Sequence, residues 1–160
     1  MTRTAVLTVS DGVARGERED TSGDVLEELL SGEGYEVVRR VVPDSRAEIS
    51  TALRELARDA ALVVTTGGTG LAPRDVTPEA TRDVVDRAAP GIAEAIRADA
   101  VARTPHGVLS RGVAGVVGST LVVNLAGSPG ACRDGFEVIR PALGHALALL
   151  SGRATTHKQT

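Results

Sequence analysis

Short apolar runs alternate with stretches of helical spacing along this chain. Residues 4–9 are apolar and β-branched and read as a buried strand. A polar, charged loop (10–22) follows. Over 24–33, Val25, Leu26, Leu29 and Leu30 recur at helical spacing, with Gly34 suited to the C-terminal end. Residues 35–42 predict a second strand, stopped by Pro43. Ser45-Arg46-Ala47-Glu48 has the form of a capping box, opening a helix with Ile49, Leu53 and Leu56 inward. A third strand is predicted at 62–65 and a glycine-rich loop at 66–76, with Thr77 as N-cap and Pro78 as first residue of the next helix. A further helix is predicted at 92–102. Residues 113–117 and 120–125 flank Gly118-Ser119 as a two-residue hairpin. Ser128-Pro129 opens a helical region to Leu150, with Leu143, Leu147 and Leu150 as its stripe and Pro141 expected to kink or divide it.

This order predicts an α/β fold: a three-layer α/β/α arrangement, its sheet mostly parallel with an antiparallel hairpin element. Ligands of such sheets sit outside the carboxyl ends of the strands. That rule selects residues 10–22, Pro43-Asp44, 66–76 and 124–129.

Length and composition narrow the classes. At 160 residues the chain suits one domain, expected over 1–153 with a flexible tail at 154–160. A hydrophobic share of 42% excludes a disordered chain. No apolar run approaches the roughly 18 residues of a membrane helix, and Ser10-Asp11 break the first apolar stretch too early for a signal peptide. The single cysteine, Cys132, can form neither an intrachain disulfide nor a thiolate metal site, so a cytoplasmic setting is expected. A net charge of −3 lacks the basic excess of a generic nucleic-acid binder, and Tyr35 and Phe136 are the aromatics, so no stacking platform exists. Neither nucleic acid nor membrane is expected as a partner.

The strongest local signal is Thr65-Thr66-Gly67-Gly68-Thr69-Gly70, between a buried strand and a helix. Its glycines let backbone N–H groups converge on an anion, and Thr66 and Thr69 add hydroxyls. Phosphate or pyrophosphate is the natural ligand, although a tight strand–helix turn would use glycine too. Neither the Walker A nor the Rossmann spacing is present. Gly112, Gly115 and Gly118 are read as turn residues.

Asp75 follows within Pro73-Arg74-Asp75-Val76-Thr77. A carboxylate beside a phosphate loop repels its ligand unless a cation such as Mg²⁺ lies between them. The alternative is a surface carboxylate paired with Arg74 or capping the helix. Asp44, Ser10 and Asp11 end strands on the same edge; Asp44 could instead start a helix beside Ser45, and Asp11 could be an ordinary turn residue. Asn124 offers donor and acceptor to a heterocycle or ribose, near Gly127 and the N-cap candidate Ser128. Ser110 and Arg111 could hold a phosphate. His106, His145 and His157 are scattered, and Cys132 reads as a small buried residue, so nothing supports nucleophilic catalysis.

Thr8-Val9-Ser10-Asp11, Val42-Pro43-Asp44, residues 65–70 with the block from Pro73 to Thr81, Leu109-Ser110-Arg111 with Ala114-Gly115, and Asn124-Leu125 together resemble the MogA/MoaB proteins of molybdenum cofactor synthesis, whose unit also forms the G domain of gephyrin. The resemblance implies a molybdopterin-binding-like fold and a molybdopterin adenylyltransferase, which joins AMP from ATP to the terminal phosphate of molybdopterin with Mg²⁺. It implies Asp44 and Asp75 as catalytic carboxylates and Mg²⁺ holders acting through the phosphates. Residues 67–70 would form the anion loop, and Ser110 and Asn124 would help bind the pterin. It also implies a homo-oligomer, a trimer or a hexamer, and a MoeA-like insertase as partner. Many members carry Pro where this chain has Ala126, which predicts a looser loop. The alternatives are a molybdopterin carrier without catalysis, an insertase and a CinA-like domain. The last two usually come with further domains.

Overall fold

The computed structural model describes residues 1–152; residue 153, the tail expected at 154–160 and His157 lie outside the described residues. Six strands, β1 (Arg3–Val9), β2 (Glu36–Val42), β3 (Leu62–Thr66), β4 (Arg87–Ala88), β5 (Ala114–Val117) and β6 (Thr120–Leu125), form one sheet in the order β2-β1-β3-β6-β5-β4. The first four in that order are parallel; β5 and β4 are antiparallel to their neighbours. Six helices surround it: α1 (Asp11–Ala14), α2 (Thr21–Gly32), α3 (Arg46–Leu56), α4 (Thr77–Val84), α5 (Pro90–Arg103) and α6 (Pro129–Leu150), with a 3₁₀ turn at Pro105–Leu109.

Both faces of the sheet are covered, and period-two alternation sorts the strand residues between them. Val6, Leu62, Val64, Leu121 and Val123 face a core shared with α2, α5 and α6. Ala5, Leu7, Val63 and Val122 face the opposite core, with Ile49 and Leu53 of α3 and Ala80 and Val84 of α4. The expected three-layer α/β/α arrangement is what forms.

Local chemistry sets the boundaries. Ser45 caps α3 by accepting from Glu48 N–H at 3.3 Å, and Ser128 caps α6 by accepting from Ala131 N–H at 3.2 Å. Val117 pairs with Thr120 across the hairpin, and Gly118 takes a φ of 61°, the left-handed conformation a II′ turn needs at its first position.

Five expectations are corrected. The loop at 10–22 is interrupted by α1, capped by Ser10, and α2 begins earlier than the apolar spacing indicates because Asp20 accepts from Gly23 N–H at 3.1 Å. Thr77 is the first residue of α4, not its cap; Val76 holds the cap position without a side-chain bond. Pro141 does not divide α6, because Ile139, Leu143 and Leu147 bury one stripe on both sides of it and hold the helix together. Gly115 lies within β5, where a Cβ would stand 2.4 Å from Val85 Cγ1, so close packing rather than a turn requires it. The two-residue β4 is too short to leave a periodic signal.

Candidate functional site

β1 has β2 on one side and β3 on the other, so the crevice between the carboxyl ends of β1 and β3 is the topological switch point of the sheet. Gly67, directly after β3, has φ 98°, and a Cβ there would stand 2.3 Å from the Val9 carbonyl oxygen at the end of β1. Gly68 has φ 71°, and its Cβ would stand 2.3 Å from Thr77 Oγ1 and 3.3 Å from Asp44 Oδ1. Side chains are therefore excluded at both positions, and the backbone itself lines the crevice. Gly67 N–H donates to Leu125 O at 3.2 Å, whereas the N–H groups of Gly68, Thr69 and Gly70 meet no acceptor among the described residues. Consecutive free N–H groups of this kind make an anion-binding concavity. On its far side Gly127 packs so closely that its Cβ would stand 3.2 Å from Gly67 Cα.

Asp44 and Asp11 lock the ends of β1 and β2 together. Asp11 N–H donates to Asp44 Oδ2 at 2.9 Å, and Asp44 N–H donates to Asp11 Oδ1 at 3.0 Å. Arg74 forks onto Asp11, from Nε at 2.6 Å and Nη2 at 3.0 Å. That fork, then the Asp44 backbone N–H, holds the Asp11 carboxyl down at about 2. Asp44 goes the other way. Burial raises its pKa first, and the charges of Asp11 and Asp75 add to the rise.

Arg74 thus pairs with Asp11 and not with Asp75. Asp75 Oδ2 accepts from Ala72 N–H at 3.1 Å, and a Cβ on Gly70 would stand 3.0 Å from that oxygen. Among the described residues neither Asp44 nor Asp75 has a carboxylate ion pair, and no group of three or more His, Cys, Asp and Glu is arranged to hold a metal by itself.

The crevice has two lobes. The larger, about 610 Å³, is walled by Ile96, Ala100, Leu109, Leu125 and Ala126; the smaller, about 230 Å³, is polar and walled by Ser10, Arg18, Asp20, Ser22 and Asp44. Gly68, Asp75 and Gly127 line both and form the ridge between them.

Most of the sequence-selected residues line this crevice, Asp11 and Arg111 standing behind its walls, and several are already occupied. Ser10 Oγ accepts from Val13 N–H, and Ser128 Oγ caps α6. Thr66 is buried, donating to Ala126 O at 2.9 Å and lying 3.3 Å from Cys132 Sγ. Thr69 is buried in the wall. Ser110 Oγ accepts from Gly112 N–H at 3.3 Å, leaving its own proton for a ligand. Asn124, 4% exposed, accepts from Val113 N–H through Oδ1 and spends both amide hydrogens on Thr65 and Thr81 Oγ1, each at 3.0 Å. Its amide therefore braces the site from beneath.

Cys132 is fully buried, and burial pushes its thiol up to about 11. His145 lies exposed on α6, away from both lobes, and His106 is exposed at the rim of the larger one. The sequence reading missed Asp20, whose carboxylate accepts from Thr8 Oγ1 at 2.7 Å and Arg39 Nη2 at 2.6 Å while capping α2 beside the smaller lobe. An Asp three residues before Gly23, ahead of an apolar stripe, is a cap signal that could have found it. Thr77 and Thr81 were missed as well; a threonine gives no sign of which distant carbonyl it serves.

Comparison with known proteins follows the same lines. Residues 5–145 match the family described as "Probable molybdopterin binding domain". The chain is 38% identical to the molybdopterin adenylyltransferase of Helicobacter pylori strain J99, over 92% of this chain and 86% of that protein. It is 38% identical to the molybdenum cofactor synthesis protein cinnamon of Drosophila melanogaster over 97% of its length, spanning 26% of that longer protein. The crystal structure of the molybdopterin biosynthesis enzyme MoaB from Thermus thermophilus superimposes with a TM-score of 0.89 at 49% identity, covering 96% of this chain and 98% of that one.

Proposed function

The chain belongs to the molybdopterin-binding domain family, and from that premise we propose that it is a molybdopterin adenylyltransferase of molybdenum cofactor biosynthesis. ATP and molybdopterin are its substrates. A terminal phosphate oxygen of molybdopterin attacks the α-phosphorus of ATP; the new P–O bond forms as the α–β bond breaks, and pyrophosphate leaves. The nucleophile is already ionised at neutral pH, so no general base is assigned.

One observation carries the reading: Gly68, Thr69 and Gly70, with their free N–H groups, line the crevice together with Asp75 on the ridge between its two lobes and Asp44 in the wall of the smaller one. Two lobes seat two substrates, and the ridge is where their phosphates meet. Catalysis is then positioning and charge neutralisation. The site fits Mg²⁺: its donors are oxygens, and neither Asp44 nor Asp75 has a carboxylate ion pair among the described residues. Asp44 and Asp75 would hold it, and when bound it would supply positive charge against the phosphates. Asp44 and Asp75 orient the phosphates, the glycine N–H groups bind their oxygens, and Ser110 presents a hydroxyl to the pterin side. Asn124 fixes the wall behind them.

The reading extends to the setting. We assign a homotrimer (or a hexamer built from it), product delivery to a MoeA-like insertase, a cytoplasmic location, and a single domain over 1–153. The open edge of β2, with Val38 and Val41 exposed, supports burial against a further copy. No helix among the described residues is long and apolar enough to cross a membrane.

The test mixes protein with molybdopterin, ATP and Mg²⁺ and quantifies adenylylated pterin and pyrophosphate. Product that disappears in Asp44→Ala and Asp75→Ala is expected. Molybdopterin binding with no product would replace the enzyme by a carrier.

A further inference from the structure

The three free N–H groups are each fixed from behind the loop. No peptide bond among the described residues is cis, so each C=O opposes the N–H of the next residue across a planar unit. Whatever holds the carbonyl on one side aims the N–H at the other. Gly67 O accepts from Thr77 Oγ1 at 2.9 Å, which aims Gly68 N–H. Gly68 O accepts from Thr77 N–H at 3.1 Å, which aims Thr69 N–H. Thr69 O accepts from the backbone N–H of Arg111 at 2.8 Å, which aims Gly70 N–H.

The Arg111 side chain continues this rear attachment. Nε donates to Gly70 O at 2.8 Å, Nη2 to Asp75 O at 2.9 Å, and Nη1 to both oxygens of Glu79 in the first turn of α4. Burial opposes ionisation of Glu79, but the Arg111 hydrogen bond and charge outweigh it and keep its pKa below the usual value. All three guanidinium nitrogens are thus committed inside the protein, and Arg111 acts on phosphate only through the loop.

We propose that Thr77 is a positioning residue that aims the Gly68 and Thr69 N–H groups at substrate phosphate by holding the opposing carbonyls from behind, while the Arg111 backbone N–H does the same for Gly70 N–H and its guanidinium anchors the exit of the loop at Gly70 O. The role rests on the adenylyltransferase reading for its biological ligand, but not for its test. Thr77 is suited to it because its hydroxyl and its own N–H reach successive carbonyls from one residue. Gly68 must lack a Cβ to let that hydroxyl in. Arg111 is suited because a planar guanidinium fixes several acceptors at once, which an ammonium does not.

The experiment measures pyrophosphate affinity by calorimetry, with Mg²⁺ present, for the wild type, Thr77→Val, Thr77→Ser and Thr77→Ala, alongside thermal melts. Thr77→Val is expected to weaken pyrophosphate binding about tenfold, the worth of one charge-assisted hydrogen bond, and Thr77→Ser to restore it to within about threefold. Rescue by the hydroxyl separates aiming from mere packing. Wild-type affinity in folded Thr77→Val, or affinity as weak in Thr77→Ser as in Thr77→Val, overturns the proposal. If Thr77→Val does not fold, Thr77→Ala decides: weakened pyrophosphate binding supports the proposal and unchanged binding overturns it. A wild type that binds pyrophosphate without turnover sinks the adenylyltransferase reading and leaves this one standing. A wild type that does not bind pyrophosphate sinks this one.

Discussion

The two walls of the crevice are made of different materials. On the β1–β2 side, Asp11, Asp44 and Arg74 are charged and partly open to water, and the wall is held by ion pairing and paired backbone bonds. On the β3–β6 side, Thr65, Thr77, Thr81 and Asn124 are neutral and buried, and every bond is internal. Charge in water responds to pH and salt and tolerates small displacements. A buried neutral network is insensitive to both but fails when a group is left unpaired or a methyl is added. The charged wall should therefore govern rate, and the neutral wall shape.

The largest expected effect falls on the ridge between them. On the proposed mechanism Asp75→Asn should lower turnover by roughly 10³-fold, since losing a carboxylate that would hold Mg²⁺ against the phosphates costs several kcal/mol of charge neutralisation. Molybdopterin affinity should stay near the wild-type value; lost affinity with retained turnover would reverse the roles assigned to the two walls.

Gly67→Ala should destabilise the fold by about 3 kcal/mol in denaturant titration, through left-handed strain and collision with the Val9 carbonyl. A near-neutral result would mean that the neutral wall yields as easily as the charged one. Asn124→Leu comes next, at about 2 kcal/mol, because it strips the acceptor from Val113 N–H and the donors from the buried Thr65 and Thr81 hydroxyls.

Asp44→Asn should have the smallest stability effect and the opposite sign. The raised pKa means that folding favours the protonated form, so the wild type loses stability as pH rises through that value. The variant escapes this loss. It should melt higher than the wild type at neutral pH, and the advantage should vanish in acid, even as activity is lost. Asp11 works in reverse: held at about 2, it supports the fold above its ordinary range and ceases to as pH falls from near 4 toward 2. Melting curves of both proteins against pH would show whether the two carboxylates oppose each other.

The layers of the fold were readable because buried strands such as 62–65 and amphipathic helices such as the one carrying Ile49, Leu53 and Leu56 advertise their periods locally. The edge that gathers Asp44, Asp75 and the glycine loop was readable too, since strand order alone fixes which loops share an end of the sheet. What escaped was pairing across distance. Asn124 and Ser10 were read as ligand-facing because their donors and acceptors are visible in the sequence, whereas the groups that occupy them, Thr65, Thr81 and Val13, become neighbours only on folding. Arg74 illustrates the same limit: its adjacent residue Asp75 was the obvious partner, and the fold gave it Asp11 instead.

Cys132 offers a last use for this architecture. The chain carries a single sulfhydryl, sealed against Thr66 and Ala126 directly beneath the glycine loop, with its ionisation pushed far above neutral pH. Alkylating reagents require a thiolate in contact with solvent, so they can reach it only while the helix and sheet part at that point. Its labelling rate is a built-in clock for those openings, read from one atom, and a ligand that settles on the loop above should slow it.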